Sequence, residues 1–240
     1  EKLRRHGYQI TEPAVGMLAN RDIGAGRMPD EEVLFDYVVQ EISCEKDMKG
    51  LKVLVTAGPT REAIDPVRFI TNHSTGKMGY ALAKAAAARG AQVTLVSGPT
   101  HLEKPRFASC VDVVSAQDMY EAVTGRAQEQ DIIIKAAAVA DYRPAQVSQE
   151  KMKKKDGDLI LEMARTQDIL GWLGAHKRPG QFLCGFSMET EHMLENSRAK
   201  LEKKHVDMIV ANNLREPGAG FAADTNVVTM ITADSEIALP

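Results

Sequence analysis

Residues 53–79 read VLVTAGPTREAIDPVRFITNHSTGKMG. The apolar run Val53, Leu54, Val55 has the composition of a strand and ends in Thr56-Ala57-Gly58-Pro59-Thr60, a glycine–proline turn. A long polar, turn-forming stretch follows. Then Asn72-His73-Ser74-Thr75-Gly76-Lys77-Met78-Gly79 opens an alanine-rich helical run. The order is therefore strand, glycine turn, elongated polar loop and helix N-terminus. Free N–H groups at such a helix start favour an anionic ligand. A loop this long and polar inside a compact α/β domain is usually functional.

The regular pattern extends outward from this stretch. Strands are predicted at 52–56, 92–97, 111–114, 131–137, 181–185, 206–211 and 226–231, and helices at 76–89, 116–130, 167–176 and 190–204. Alternating strands and helices point to an α/β domain with a parallel sheet. The strands are continuous apolar runs, as when both sheet faces are covered. The expected fold is three-layer and Rossmann-like, mostly parallel, with helices on both faces. Lys155-Asp156-Gly157-Asp158 is a good hairpin turn joining 150–155 to 159–163, so a protruding β-hairpin flap is expected there. Residues 1–45 read differently. Pro13, Gly16, Gly24, Gly26 and Pro29 break them into turns, and Pro29-Asp30-Glu31-Glu32 starts a helix that runs to about Ile42. Two domains are expected, 1–45 and 46–240.

The totals set bounds. The chain has 240 residues, 44% hydrophobic and 26% charged, which is ordinary globular composition. A net charge of −3 leaves no broad electrostatic footprint for nucleic acid. Cys44, Cys110 and Cys184 are odd in number and form no CxxC pair, so a disulfide framework is not expected and a reducing cytoplasm fits. No apolar run reaches membrane-spanning length and no signal peptide is visible.

Ligands in open α/β sheets bind beyond the C-terminal strand ends. Here those ends are small or polar: Thr56-Ala57-Gly58, Ser97-Gly98-Pro99, Ala138-Val139-Ala140-Asp141, Gly185-Phe186-Ser187 and Ala211-Asn212-Asn213. Together they suggest a cleft where backbone approaches a ligand. Asp141 could hold a nucleotide group or a hydrated Mg²⁺, or simply cap a turn. The lysine run Lys151, Lys153, Lys154, Lys155 reads as a solvated face or as a mobile cation beside an anion site. Lys200 and Lys204 are like charges four apart, which cost about 0.2–0.5 kcal/mol unless an anion lies between them. His73 has no Ser or Cys partner at a recognisable spacing and reads as a loop histidine, and the six histidines show no metal-ligand spacing. The run from Thr71 to Met78 lacks the first glycine and the final Ser/Thr of a Walker A loop. Gly24-Ala25-Gly26 lacks the third glycine of a dinucleotide fingerprint and follows no strand.

Five ordered blocks then carry a resemblance: TAGPTREAIDPVRFITNHSTGKMG (56–79), VTLVSGPT (93–100), KAAAVADYRPA (135–145), EKMKKK (150–155) and GF (185–186). They resemble bacterial phosphopantothenoylcysteine synthetase, the C-terminal half of the bifunctional decarboxylase/synthetase of coenzyme A biosynthesis. GMLANRDIGAGRMP (16–29) resembles the last segment of the flavin-dependent decarboxylase half, whose FMN belongs to that other domain. The resemblance implies a ligase that joins 4′-phosphopantothenate to L-cysteine with CTP and Mg²⁺, through a phosphopantothenoyl-cytidylate. It also implies a cytoplasmic homodimer. By the same resemblance Asn72 holds the acyl-phosphate region, and Gly76, Lys77 and Met78 meet phosphopantothenate. Lys151 neutralises the triphosphate. Gly58, Ala137, Asp141, Gln167, Asp168, Ile169, Leu170 and Phe186 line the nucleotide site, and Lys200 and Lys204 take the triphosphate. Asp141 is the candidate Mg²⁺ ligand. Asn20 stands where the decarboxylase pattern has a cysteine, so decarboxylase activity is not expected, and the family usually continues beyond Pro240 into another helix. Two other readings stand beside this one: an ATP-dependent form of the same ligase, and an inactive dimerisation module of the decarboxylase.

Overall fold

The structure is a computed structural model that describes residues 2–8, 10–154, 157–189, 193–213 and 225–239. The chain divides into two units, Glu1–Asp47 and Met48–Pro240. The first holds α1 (Lys2–Arg5), a hairpin of β1 (Ala14–Met17) and β2 (Ile23–Arg27), and α2 (Glu31–Ile42). Where the hairpin stands, the sequence predicts only turns. Its strands are glycine-rich and carry no buried residue, so they give no apolar alternation to read. Asn20 closes the hairpin turn, donating to Asp22 Oδ2 at 2.7 Å and accepting from Asp22 N at 3.2 Å.

The second unit runs β3 (Lys52–Ala57), β4 (Arg61–Ala63), β5 (Phe69–Thr71), α3 (Lys77–Ala88), β6 (Gln92–Ser97), β7 (Ala108–Asp112), α4 (Ala116–Ala127), β8 (Ile132–Lys135), β9 (Tyr142–Pro144), β10 (Met163–Arg165), α5 (Ile169–Ala175), β11 (Phe182–Glu189), α6 (Met193–Lys203), β12 (Met208–Asn213), β13 (Val228–Ile231) and β14 (Glu236–Leu239). Eight strands form one sheet in the order β14-β13-β12-β11-β8-β3-β6-β7. The six from β12 to β7 are parallel; β13 pairs antiparallel with β12, and β14 antiparallel with β13. In chain order the parallel strands lie 3-2-1-4-5-6, the doubly wound arrangement, and the order reverses between β3 and β8.

Helices cover both faces. On one, Tyr80, Ala83, Ala86 and Ala87 of α3 pack against Val53, Val55, Val93 and Leu95. Alanine spacing lets this helix lie close to the sheet. On the other, Met119, Val123 and Ala127 of α4 join Leu170, Leu173, Leu201 and Ile133. α4 begins at a capping box: Ser115 Oγ accepts from Asp118 N at 3.1 Å, and Asp118 Oδ2 accepts from Ser115 N at 2.9 Å. Cys184 is buried in β11. Among the described residues no helix is long and apolar enough to cross a membrane.

Three expectations shift. The strand expected at 111–114 lies at Ala108–Asp112; as the outer strand it pairs only with β6 among the described residues, so its apolar content marks its limits poorly. The elongated polar loop contains the short β4–β5 ladder. The flap's arms pair at their root, Tyr142–Pro144 with Met163–Arg165, and not between 150–155 and 159–163 among the described residues. Successive lysines repel along the first arm, and its backbone bonds go instead to the 64–68 turn, with Ser148 N donating to Ile64 O at 3.0 Å. Lys155 and Asp156 of the expected turn, and Thr190 of the expected last helix, lie outside the described residues.

Candidate active site

The reversal of strand order splays the loops that follow β3 and β8, and their backbones are stitched together. Ala138 N donates to Gly58 O at 2.9 Å and Thr60 N to Ala138 O at 3.2 Å. Thr56 Oγ1 accepts from Ala137 N at 3.1 Å, and Thr60 Oγ1 from Ala140 N at 3.0 Å. Asn72 joins this wall from the end of the polar loop, its Nδ2 donating to Ala138 O at 2.9 Å. Thr166 ties in the far side through its hydroxyl, which donates to Ala140 O at 2.6 Å.

Beside this wall opens a cleft of about 490 Å³. Of the residues the sequence singled out, Ala137, Asp141, Gln167, Asp168, Ile169, Leu170, Phe186, Lys200 and Lys204 line it; Gly58, Asn72, Gly76, Lys77, Met78 and Lys151 do not. Lys135, Tyr142, Arg165 and Thr166, to which the sequence assigns no role, also line it, as does Val139 of the small strand end expected after β8. Lys135 carried one signal: it alternates with Ile133 in β8 and so faces inward from a buried strand.

The cleft is cationic although the chain is acidic. Lys135, Arg165, Lys200 and Lys204 face two carboxylates, Asp141 and Asp168. Asp168 caps α5 by accepting from Gly171 N at 2.9 Å and is ion-paired with Lys204. Burial pushes its carboxyl up, but the hydrogen bond from Lys204 and that from Gly171 N outweigh it and hold Asp168 below its ordinary value. Lys200 Nζ donates to Phe186 O at 3.3 Å. Lys135 is 9% exposed, and its side chain makes no hydrogen bond among the described residues. Burial lowers it to about 8, Asp168 pulls it up and Lys200 pushes it down. A buried ammonium whose side chain has no hydrogen-bond acceptor is costly, and an anion entering the cleft would offset that cost.

The start of α3 lies on the other side of the loop wall. Gly76 is its N-cap in the left-handed region, φ 84°. A Cβ there would meet Gly58 N and Cα at 3.3 Å, so the two glycines let the strand turn and the helix start touch backbone to backbone. Lys77 and Met78 occupy the first turn.

No cluster of three or more His, Cys, Asp or Glu able to hold a metal occurs among the described residues. Asp141 is exposed and has one carboxylate to offer. That suits Mg²⁺ arriving with a polyphosphate and retaining its waters, since such ions use one or two carboxylates plus substrate oxygens.

A family model described as the DNA/pantothenate metabolism flavoprotein C-terminal domain matches residues 48–240. The chain belongs to this family. The match begins at Met48, where the second unit begins. The chain is 48% identical over 235 residues to the coenzyme A biosynthesis bifunctional protein CoaBC of Bacillus subtilis, covering 97% of this chain and 58% of that protein. It is 45% identical over 243 residues to the protein of the same name in Escherichia coli K12, covering 100% of this chain and 60% of that one. The chain thus spans less than two thirds of these relatives. A crystal structure of the C-terminal domain of a coenzyme A biosynthesis bifunctional protein CoaBC is 48% identical, with a TM-score of 0.68 over 80% of this chain and 87% of that one.

Proposed function

We propose that this domain joins 4′-phosphopantothenate to L-cysteine, using CTP to activate the carboxylate, and that it works as a cytoplasmic homodimer. The observation that carries the reading is the cationic cleft over the ends of β8 and β11, beside the loop wall to which Asn72 is hydrogen-bonded. The family membership and the names of the relatives support it.

In this reading a carboxylate oxygen of phosphopantothenate attacks the α-phosphorus of CTP. The bond to the β-phosphate oxygen breaks and pyrophosphate leaves with the electron pair. The cysteine amine then attacks the acyl carbon, CMP leaves, and the ammonium proton is lost to solvent. Neither step needs a protein nucleophile. Both need charge neutralisation and alignment. Lys200, Lys204 and Lys135 neutralise the polyphosphate, and Lys151 adds a charge from the flap. The Asn72 amide, fixed on Ala138, orients the acyl phosphate, while Gly76, Lys77 and Met78 hold the phosphopantothenate. Ala137, Gln167, Ile169, Leu170 and Phe186 enclose the nucleoside. Mg²⁺, held through Asp141, would supply further charge neutralisation on the phosphates.

The test incubates the chain with 4′-phosphopantothenate, Mg²⁺ and either CTP or ATP without cysteine, and follows pyrophosphate and acyl-nucleotide by mass spectrometry. An acyl-cytidylate that goes on to product when cysteine is added is the expected result. Equal turnover with ATP would replace the nucleotide assignment. Folded protein that releases no pyrophosphate with either nucleotide would overturn the ligase reading.

A further inference from the structure

The turn between β4 and β5 holds a carboxylate that does more than close the turn. Asp65 is 3% exposed. Its Oδ1 accepts from Val67 N at 2.9 Å and Arg68 N at 2.8 Å, which is the ordinary chemistry of an Asp-led turn. Its Oδ2 faces away from the turn. It accepts from Arg68 Nε at 3.0 Å, from Arg68 Nη2, and from Met152 N at 3.1 Å. Arg68 Nη2 also donates to Met152 O at 2.9 Å.

One ion pair therefore grips both backbone groups of a single flap residue that is far away in sequence. The N–H of Met152 belongs to the same planar peptide unit as the carbonyl of Lys151. Fixing that plane fixes the backbone from which the exposed Lys151 side chain leaves. A second tether, from Ser148 N to Ile64 O at 3.0 Å, holds the flap on the other side of Lys151. The seat is itself stiff: the Arg61 guanidinium stacks 4.7 Å over the Phe69 ring, and Thr71 Oγ1 donates to Thr60 O at 2.7 Å. The hydrogen bond from Arg68, outweighing burial, holds the Asp65 carboxyl far below the usual range, so the grip stays charged at any working pH.

We propose that the Asp65–Arg68 pair is a positioning device for Lys151, gripping the Met152 backbone so that the flap lysine is presented from a fixed point. What Lys151 then does rests on the ligase reading; the grip itself does not. The pair sits on the same hairpin that leads to Asn72, so the loop contacting the acyl phosphate and the flap lysine are held by one element.

The test has two arms on the full chain. In Asp65→Asn the shape is kept, but an amide N–H faces either Met152 N or the guanidinium; in Arg68→Met the donor to Met152 O is lost. Trypsin digestion under native conditions, well below each variant's own thermal midpoint, with cleavage after Lys151, Lys153 and Lys154 followed by mass spectrometry, should be faster in either variant by on the order of tenfold. If Asp65→Asn does not fold, Arg68→Met decides the question. Unchanged cleavage in a folded variant overturns the proposal. In the second arm, Asp65→Asn should lower turnover in the native chain and have no further effect in a Lys151→Met background, because positioning acts through the lysine. A full additional loss in that background also overturns it. If no form of the protein releases pyrophosphate, the ligase reading fails and the cleavage comparison still decides the grip.

Discussion

Lys135 offers the most quantitative test of the site. Its ammonium sits at the C-terminal end of a central strand, 9% exposed, and is lowered from 10.5 to about 8 chiefly by burial. The native state therefore binds fewer protons than the unfolded chain between about pH 8 and 10.5. Stability should rise with pH through that window, because the penalty for burying the charge lapses as the group deprotonates. At 1.36 kcal/mol per unit, the cost at pH 7 is about 3 kcal/mol, and it falls below about 1 kcal/mol by pH 10. Lys135→Met keeps the length of the side chain and removes the charge. Urea unfolding at pH 7 should show the variant more stable by about 1–3 kcal/mol, the lower figure allowing for imperfect repacking. At pH 10 the two chains should converge. Comparing the variant with the native chain cancels the other groups that titrate in this range. The same variant should bind inorganic pyrophosphate more weakly, measured by calorimetry at pH 7. Equal stabilities at pH 7, or a loss of stability that persists at pH 10, would refute a buried charge that Asp168 only partly offsets.

Asn72→Asp replaces the donor to Ala138 O with a repelling oxygen; turnover should fall at least about tenfold with acyl-cytidylate accumulating, visible by mass spectrometry, and normal turnover would remove Asn72 from the site. Lys204→Met strips Asp168 of its ion pair, so the acid unfolding transition should move to higher pH and the KM for nucleotide should rise with kcat less affected. The sign follows from Asp168 lying below 3.8 when folded: its contribution is present above the unfolded value and is lost as pH falls through the folded one. Gly79→Ala places a Cβ 2.5 Å from Ala57 Cβ and 2.8 Å from Thr56 O, and should cost about 1–3 kcal/mol in chemical denaturation. Gly125→Ala on the open side of α4 meets nothing within 4 Å and should gain about 0.5–1 kcal/mol.

The sheet was legible because its central strands are covered on both faces. VLV at 53–55 and III at 132–134 have no polar alternation to blur them, and α3 announces itself by alanine spacing. Where burial is one-sided or absent the signal faded: β7 slipped by three residues, and the β1–β2 hairpin, without a buried side chain, read as turns. The flap's arms are expected at 150–155 and 159–163 but pair only at Tyr142–Pro144 and Met163–Arg165 among the described residues, since the partners of Ser148 and Met152 are about 85 residues earlier, in a turn that local sequence cannot connect to them. The cleft was partly legible for the same reason. Residues on the β8, α5 and α6 segments converge, yet which strand ends lie side by side depends on a strand order that differs from chain order. Lys135 lies inside the strand expected at 131–137, but one lysine in an apolar run does not reveal which face of the strand meets a cleft.

The buried thiol of Cys184, pushed by burial to about 12, gives the domain a built-in clock. Alkylation requires thiolate, so this sulfur is silent while β11 is covered and reacts only when the sheet opens. Cys44 is exposed and Cys110 partly so, and both can be blocked first. The rate of the remaining reaction then measures how often the centre of the molecule comes apart, and ligands that close the cleft beside β11 should slow it without touching the cysteine.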